Sequence, residues 1–371
     1  FKIYNRLFRG LDNTYRAHHI IGSWSFILLL IHPLLITYRY FLSSPISAYE
    51  FIKPNLASPY RLVGSVALGL MFILMIVTLY INVKYEWFIR AQRLLGLVLF
   101  IGAIHAIFVG GSSLGLNSGK IALQIYFGIL IGSAAFVYLY RSIFHGNFSR
   151  FYDYRLTSKK VMGDIFELTL SPVSTEMRFQ PGQYSFIKVD TEGLLAQSHP
   201  FSMSSSPEDH EIKFGIKVLG DFTEALKDVK INALFKLDGP YGTFSNKIVR
   251  NPRQVWIAGG IGLTPFLSMA NDLDNSQQVD LFYSTAKKTE AVYLSELQQL
   301  TSKKPNLKLH YIDTEKDGFI TADMLYAKCE NLENANFMIC GPYSMMMALK
   351  KQLRAKGVKR KNINTEEFNL A

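Results

Sequence analysis

The sequence predicts a multi-domain membrane protein with three parts in chain order: a helical bundle, an antiparallel β-barrel and an open α/β sheet. Three observations predict this fold class: four long apolar runs before residue 145, short alternating segments after residue 153, and alternating strand and helix patterns after Pro252. A chain of 371 residues is also too long for one hydrophobic core, which predicts two or three domains.

The apolar runs of the first part cover residues 20–41, 62–81, 94–110 and 121–140. Each approaches the roughly 20 residues that a helix needs to cross a hydrocarbon core about 30 Å thick. A single run of this kind also fits a buried helix of a large soluble domain, but four in succession favour membrane-spanning helices. The lipid bilayer is therefore the first partner that we expect.

The net charge of +11 is unevenly distributed along the chain. Residues 1–145 carry 12 of the 40 Lys and Arg residues but 3 of the 29 Asp and Glu residues, so most of the excess lies there. A hydrophobic fraction of 49% excludes a disordered basic tail, and bases placed between apolar runs do not form a folded basic surface. We therefore expect no nucleic-acid partner.

The positions of the bases predict the orientation of the helices. They concentrate before the first run, between the second and third, and after the fourth, at Lys2, Arg6, Arg9, Arg16, Lys84, Arg90, Arg93 and Arg141. The other two connections hold fewer bases, so the base-rich side is predicted to be cytoplasmic. We thus expect a multi-pass protein of the cell membrane with residues 146–371 in the cytoplasm, where Cys329 and Cys340 stay reduced.

Histidines inside the predicted spans are candidate metal ligands, because ionisable residues in a membrane helix are costly and are usually functional. His18 and His32 share one face of the first helix, about 21 Å apart along its axis. His105 lies near the outer end of the third helix. Opposed imidazoles at matching depth suit haem iron, whereas an interhelical hydrogen bond is the alternative role for a single histidine.

Alternating segments over 164–170, 184–189, 211–218 and 233–237 predict the barrel, and two motifs within it suit a flavin nucleotide. The first combines an aromatic ring, a hydroxyl and a polar ring that match the face and polar edge of a flavin: His199, Pro200, Phe201 and Ser202. The second places a glycine and a hydroxyl at the start of a predicted helix, which suits a diphosphate: Gly220, Phe222 and Thr223. Each motif alone is weak.

The last part begins with a strand over 254–258 that leads into the sequence GGIGLTP of residues 259–265. Glycines there let backbone amides approach a pyrophosphate, and Pro265 fits a first helical turn. A later strand over 336–339 ends at Cys340, Gly341 and Pro342. Because ligands of such sheets bind beyond the carboxyl ends of strands, Cys340 is a candidate neighbour of a nicotinamide, with an inert buried thiol as the alternative.

The motifs together carry a family resemblance, since they occur in the order and spacing of the ferredoxin–NADP reductase superfamily: PGQY (181–184), HPFS (199–202), GDFT (220–223), GPYG (239–242), GGIGLTP (259–265) and CGP (340–342). With the preceding helices and histidines, the whole chain resembles the bacterial branch of the NADPH oxidase and ferric reductase family. The resemblance implies a transmembrane haem-binding domain over 1–146, an FAD-binding β-barrel domain over 147–248 and an NAD(P)H-binding α/β domain over 249–371.

The resemblance also implies roles for individual residues. It implies FAD contacts at His199, Phe201, Ser202, Lys217, Gly220 and Thr223. It implies NAD(P)H contacts at Gly259, Gly260, Gly262, Thr264, Pro265 and Cys340. It implies haem b ligands at His18, His32 and His105.

The sequence departs from the family pattern in several places. The family has six spanning helices, and the chain starts at Phe1 without Met, so we expect two further helices before it. Where a second inner haem ligand belongs, 13 residues before His105, the chain has Gln92; a one-sided ligand set, a substitute ligand and an absent inner haem stay open. The terminal aromatic that stacks on the flavin is Phe368, or Leu370 takes that place.

The expected function is transmembrane electron transfer from NAD(P)H through FAD and haem to an outer acceptor, with oxygen and superoxide favoured over a ferric complex. Lysines without Arg in residues 284–288 favour NADPH over NADH only weakly. A membrane-anchored flavin reductase with structural histidines and a haem relay subunit for a protein partner are the rival functions.

Overall fold

The computed structural model describes residues 11–53, 58–79, 81, 85–108, 121–140, 151–189, 198–249 and 251–367. The chain divides into two compact units, one over Arg16–Ser149 and one that contains Arg150–Ala371. The first is helical and the second carries both β-sheets.

The helical unit confirms the four predicted runs as helices. It contains α1 (Leu11–Ser43), α2 (Pro45–Ile52), α3 (Pro59–Leu79), α4 (Tyr85–Phe108) and α5 (Ile121–Leu139). Three described stretches are long and apolar enough to cross a membrane: Ala17–Ser43, Pro59–Leu79 and Arg90–Phe108. The described stretch of α5, Gln124–Leu139, is apolar but shorter. Most large apolar side chains on these helices are exposed, as lipid-facing side chains of a membrane protein are.

Helices α3 and α4 pack closely through small residues. The rings of Tyr60 and Phe108 stack with their centroids 5.3 Å apart. A Cβ atom at Gly64 would lie 2.5 Å from Nδ1 of His105, so only glycine leaves room for that imidazole ring. Gly96 on α4 similarly admits the ring of Tyr138 on α5. Close approach at glycines is the usual way in which membrane helices associate.

The first sheet is antiparallel and has six strands in the order β4-β3-β6-β1-β2-β5. An isolated bridge between Met203 and Phe214 connects its two edges, so the sheet curls into a barrel around an apolar core. Helix α6 (Asp221–Lys227) follows the fifth strand. The strands are β1 (Tyr152–Met162), β2 (Ile165–Pro172), β3 (Tyr184–Val189), β4 (His199–Ser202), β5 (Ile212–Lys217) and β6 (Leu234–Tyr241).

The second sheet is parallel and has five strands in the order β11-β10-β7-β8-β9. Its strands are β7 (Arg253–Gly259), β8 (Gln278–Thr285), β9 (Leu307–Asp313), β10 (Asn336–Cys340) and β11 (Ile363–Glu366). Its helices are α8 (Thr264–Asn271), α9 (Leu294–Lys303), α10 (Thr314–Asp317), α11 (Ala322–Lys328) and α12 (Tyr343–Ala355), preceded by the single turn α7 (Asn246–Val249). Helices cover both faces, as a buried parallel sheet requires.

The two sheets share an apolar interface. Ile165 and Phe244 belong to the same buried cluster as the helix residues Phe266 and Met269 of the α/β part. A Cβ atom at Gly215 of β5 would lie 2.3 Å from the hydroxyl of Tyr293, so the barrel wall is in close contact with the α/β sheet there. This close packing fixes the position of one sheet relative to the other.

The structure adds elements to those that the sequence predicts. The elements outside the predicted set are strands β1, β4 and β11 and helices α2, α7, α10 and α11. A bulge between Leu156 and Ser158 interrupts the alternation of β1. Strand β4 contains Pro200, which a strand tolerates here because β4 lies at a sheet edge.

Candidate cofactor site

The parallel sheet has a switch point between β7 and β10. The chain proceeds from β7 to β8 and β9 on one side, and β10 and β11 fill the other. Open α/β sheets bind ligands at the carboxyl ends of the strands where the order reverses. A cavity of about 220 Å³ lies there, and residues of both sheets line it: Lys217, Leu219, Gly259, Gly260, Ile261, Gly262, Gly341, Pro342, Tyr343 and Glu367.

Glycines bring the two loops at this switch point together. A Cβ atom at Gly262 would lie 2.5 Å from the carbonyl oxygen of Cys340 and 2.8 Å from the amide nitrogen of Gly341. One at Gly259 would lie 2.8 Å from Cδ of Pro342. Gly260 has a φ of +55°, in the left-handed region that favours glycine. These glycines therefore set the width of the cleft, and the cleft exposes backbone that a pyrophosphate can approach.

Three predicted nucleotide contacts lie behind this cleft and do not line it. Thr264 is buried, donates its hydroxyl to the carbonyl of Ile261, and packs against Gly215 of the barrel. Pro265 is buried in the first turn of α8. Cys340 is fully buried, and burial together with the charge of Glu366 raises the pKa of its thiol well above the ordinary value. Cys340 is thus a neutral thiol within the core of the switch point.

The HPFS motif forms strand β4, which pairs with β3 so that Ser202 lies opposite Tyr184. The ring of Phe222 contacts His199, with centroids 4.1 Å apart, and stacks near Phe201 at 6.3 Å. Phe222 itself is buried in the barrel core. Burial lowers the pKa of His199, which keeps the imidazole neutral near pH 7. Pro200 is half-buried on the same strand.

The hydroxyl of Ser202 is buried and has no hydrogen-bond partner within the described residues. A buried hydroxyl without a partner costs about 1–3 kcal/mol, so native proteins retain one where a ligand supplies the missing bond. Ser202 is therefore a fitting contact for the polar edge of a flavin.

The loop after β5 is held by Thr223. Its hydroxyl accepts hydrogen bonds from the amides of Leu219 and Gly220 and donates one to the carbonyl of Gly220. Thr223 therefore shapes the turn in front of α6. Lys217 at the end of β5 pairs with Asp164 at 3.2 Å and still lines the cavity.

A contiguous set of side chains connects the two sheets at this site. Tyr184 packs against Gly242, where a Cβ atom would lie 3.1 Å from the tyrosine ring and 3.4 Å from Oε1 of Glu366. Glu366 is buried at the end of β11, directly beside Cys340 of β10. The sequence patterns did not single out Glu366, and Tyr184 stood out only as the last residue of the PGQY motif. A lone acid near a chain end has no chemical pattern of its own, so only its position in the fold reveals Glu366.

The predicted haem ligands lie on two helices. Nδ1 of His105 lies 2.7 Å from the carbonyl oxygen of Tyr60. A carbonyl oxygen only accepts, so Nδ1 carries the proton and Nε2 is left with a lone pair for a metal, as in most ligating histidines. His18 and His32 are exposed on α1, and Gln92 is half-buried on α4. Phe368 and Leu370 lie outside the described residues.

Comparison with known proteins matches three parts of the chain to known families. Residues 2–103 match the ferric reductase like transmembrane component, residues 153–245 an FAD-binding domain, and residues 256–351 an oxidoreductase NAD-binding domain. The chain has the domain architecture of the NADPH oxidase and ferric reductase family. It is an oxidoreductase-type chain with FAD-binding and NAD-binding domains, and the family resemblance and the fold class expected from the sequence are confirmed.

Individual proteins resemble parts of this ferric-reductase-type chain. Flavohemoprotein A of Dictyostelium discoideum is 30% identical over 219 residues, which are 53% of each chain. The flavohemoprotein of Pseudomonas putida is 26% identical over 66% of this chain and 65% of its own. The chain thus spans about half to two thirds of these relatives. The flavohemoglobin of Malassezia yamatoensis, solved with FAD and haem, shares the fold with a TM-score of 0.57 at 18% identity, over 94% of this chain and 97% of that one.

The residues of this ferric-reductase-type chain fit the groups that the family implies. Ser202 offers the unpaired hydroxyl, His199 a neutral ring and Phe201 a half-buried aromatic face for a flavin. The glycine-lined cleft offers backbone for a dinucleotide. His105 offers Nε2 for iron on one side. The other two predicted haem ligands, His18 and His32, lie at exposed positions of α1.

Proposed function

We propose that the protein transfers electrons across a membrane, from NAD(P)H through FAD and haem b to an acceptor on the far side. The single observation that carries this proposal is the cleft in which barrel residues Lys217 and Leu219 meet the glycine loops of the α/β sheet. The cleft would thus bring a flavin contact and a nicotinamide contact together, and residues 2–103 of the same chain match a ferric reductase like transmembrane component.

Each group of residues has a role in this proposal. FAD would accept one hydride, which carries two electrons, and would release them one at a time to haem, which carries single electrons. His199, Phe201 and Ser202 would hold the flavin ring, and Lys217, Gly220 and Thr223 its diphosphate side. Gly259, Gly260, Gly262, Gly341 and Pro342 would hold the nicotinamide dinucleotide, and the buried Cys340 and Glu366 would close the site from behind.

The membrane part completes the proposed route. His32 and His105 would hold an outer haem and His18 one side of an inner haem, with Phe368 or Leu370 against the flavin. We propose that both nucleotide domains lie in the cytoplasm of a cell-membrane protein, because the base-rich loops favour that side. We propose oxygen as the acceptor, giving superoxide. A ferric complex is the second candidate, which the match to a ferric reductase like transmembrane component favours.

Product analysis on the full chain in lipid nanodiscs tests this function. Given NADH or NADPH in turn, the protein is expected to reduce a bound flavin and a b-type haem and then oxygen or ferric citrate. Flavin reduction without any haem absorption would indicate a membrane-anchored flavin reductase. Haem that is reduced only after a partner is added would indicate a relay subunit.

Replacing Ser202 with alanine is expected to weaken flavin binding about 3- to 10-fold, because one hydrogen bond to the ligand is lost. The thermal midpoint of the flavin-free protein should not fall, since the hydroxyl has no partner within the described residues. Fluorescence titration with FAD measures the affinity. Ser204→Ala removes another buried hydroxyl without a partner in the described part and is the control. Equal losses in both variants would contradict the assignment of Ser202.

Replacing Glu315 with glutamine is expected to raise kcat/KM for NADPH relative to NADH about 2- to 5-fold. Glu315 pairs with Lys287 at 3.4 Å. Lys287 lies just after β8, where the 2′-phosphate of NADPH is read in such folds. Without this exposed partner, up to about 1 kcal/mol of the attraction that Lys287 exerts on Glu315 becomes available for the phosphate. Steady-state kinetics with both coenzymes measure it, with Glu290→Gln in the same loop as control. An equal gain for NADH would refute the role of Lys287.

A further inference from the structure

A cluster of potential metal ligands lies in the α/β part, near the amino ends of the strands and so at the edge opposite the cofactor cleft. It consists of Asp280 on β8, His310 on β9 and Cys329 just after α11. One ligand atom from each residue lies within 4.8 Å of the other two. Asp280 is buried, and Cys329 is 9% exposed. These residues take no part in the proposed electron transfer.

Hydrogen bonds to His310 and Arg253 orient the Asp280 carboxylate within the cluster. Nε2 of His310 donates to Oδ1 of Asp280 at 2.6 Å, and its ring stacks on Phe282 with centroids 4.4 Å apart. Arg253 binds the other carboxylate oxygen, Oδ2, at 2.6 Å. The guanidinium is anchored in turn by two hydrogen bonds to the carbonyl of Glu330. Arg253 therefore orients Asp280 and also interacts with the thiol of Cys329, while Oδ1, the imidazole and the thiol lie close to one another.

We propose that Asp280, His310 and Cys329 form a site for a zinc ion, with water as the fourth ligand. One thiolate, one imidazole and one carboxylate are the donor types that Zn²⁺ takes in tetrahedral sites, and a carboxylate held by a second hydrogen bond is typical of its ligands. The site would join β8, β9 and the end of α11. Nε2 of His310 and Oδ1 of Asp280 lie 2.6 Å apart and would have to open to about 3.3 Å on one zinc ion, while the thiol of Cys329 moves about 1 Å toward them.

Charge balance permits this occupant. In the metal-free site Cys329 is a buried free cysteine. Zinc binding exchanges the thiol proton for the metal and releases it to solvent, and His310 then carries its own proton on Nδ1. Thiolate and carboxylate together offer two negative charges against one from Arg253, which leaves a net attraction for a dication.

Zinc content of the purified full chain tests the proposal. After chelator treatment and equilibrium dialysis against micromolar ZnCl₂, plasma mass spectrometry is expected to find one zinc per chain, counted separately from haem iron. Cys329→Ser and His310→Asn should each weaken binding at least 10-fold. Cys340→Ser, which changes the other of the two cysteines, should bind zinc as before. Zinc X-ray absorption should show one sulfur ligand at about 2.3 Å.

A measurement on the unaltered protein makes the test independent of folding in the variants. Zinc is expected to protect Cys329 from alkylation at least 10-fold, as quantified by mass spectrometry of its peptide, while the peptide of the fully buried Cys340 reacts equally slowly with and without zinc. Absence of zinc uptake, zinc bound without sulfur, or uptake that Cys329→Ser leaves unchanged would each overturn the proposal. The cluster would then be an ion-paired anchor for β9.

Discussion

Replacing Gly262 with alanine is expected to reduce NAD(P)H-driven flavin reduction by about 100-fold or more. The added Cβ would lie 2.5 Å from the carbonyl oxygen and 2.7 Å from the carbonyl carbon of Cys340. These are backbone atoms of a central strand and cannot rotate away, so the loops must separate. A displacement of about 1 Å at a reacting site costs about 100-fold in rate. Anaerobic stopped-flow measurement of flavin bleaching after mixing with NADH or NADPH checks it.

Gly357, just after α12, offers the matched control. A Cβ there meets nothing within 4 Å, although the φ of +86° makes alanine unfavourable by about 1–2 kcal/mol. Gly357→Ala should therefore lower the thermal midpoint by a few degrees and keep the flavin reduction rate. Equal loss of rate in both variants would mean that the rate follows a general loss of stability in the α/β part. The close approach of the two loops would then not be the cause.

Hydropathy and motif order sufficed to predict the architecture. The membrane helices were predictable because 20 apolar residues in a row have few other stable environments. The glycine loop was predictable because a strand, a turn and a helix start follow one another within residues 253–271. In both cases the signal is local in sequence.

The parts that were not predictable depend on contacts between distant residues. Glu366 becomes a site residue only because β11 pairs with β10 beside Cys340. Thr264 looks like a ligand contact in the motif, yet the barrel wall at Gly215 covers it. Ser202 is a candidate flavin contact because its buried hydroxyl has no hydrogen-bond partner within the described residues. Sequence spacing carries none of this information, since each case follows from how strands pair within a sheet or how the two sheets pack.

Replacing His105 with alanine is expected to remove one b-type haem absorption band completely, while flavin reduction by NAD(P)H keeps its rate. The carbonyl of Tyr60 holds Nδ1 of His105, so Nε2 is oriented as a ligand. On α3 the ring faces Gly64, which has no side chain that could replace the imidazole as a ligand. The reduced-minus-oxidised spectrum and the pyridine haemochrome content measure the loss. His19→Ala, on an exposed position of α1 that we assign no role, is the control.

Gly64→Ala tests the same ligand without removing it. Its Cβ would lie 2.5–2.8 Å from three atoms of the imidazole ring, so the ring must turn and give up its bond to Tyr60. A histidine without that partner is a weaker, less oriented ligand, and such outer partners are worth about 10–100-fold in metal affinity. Haem should therefore be retained only partly, with an altered electron paramagnetic resonance signal. Full haem content with an unchanged signal in both His105→Ala and Gly64→Ala would show that His105 is a structural histidine that bonds α4 to α3.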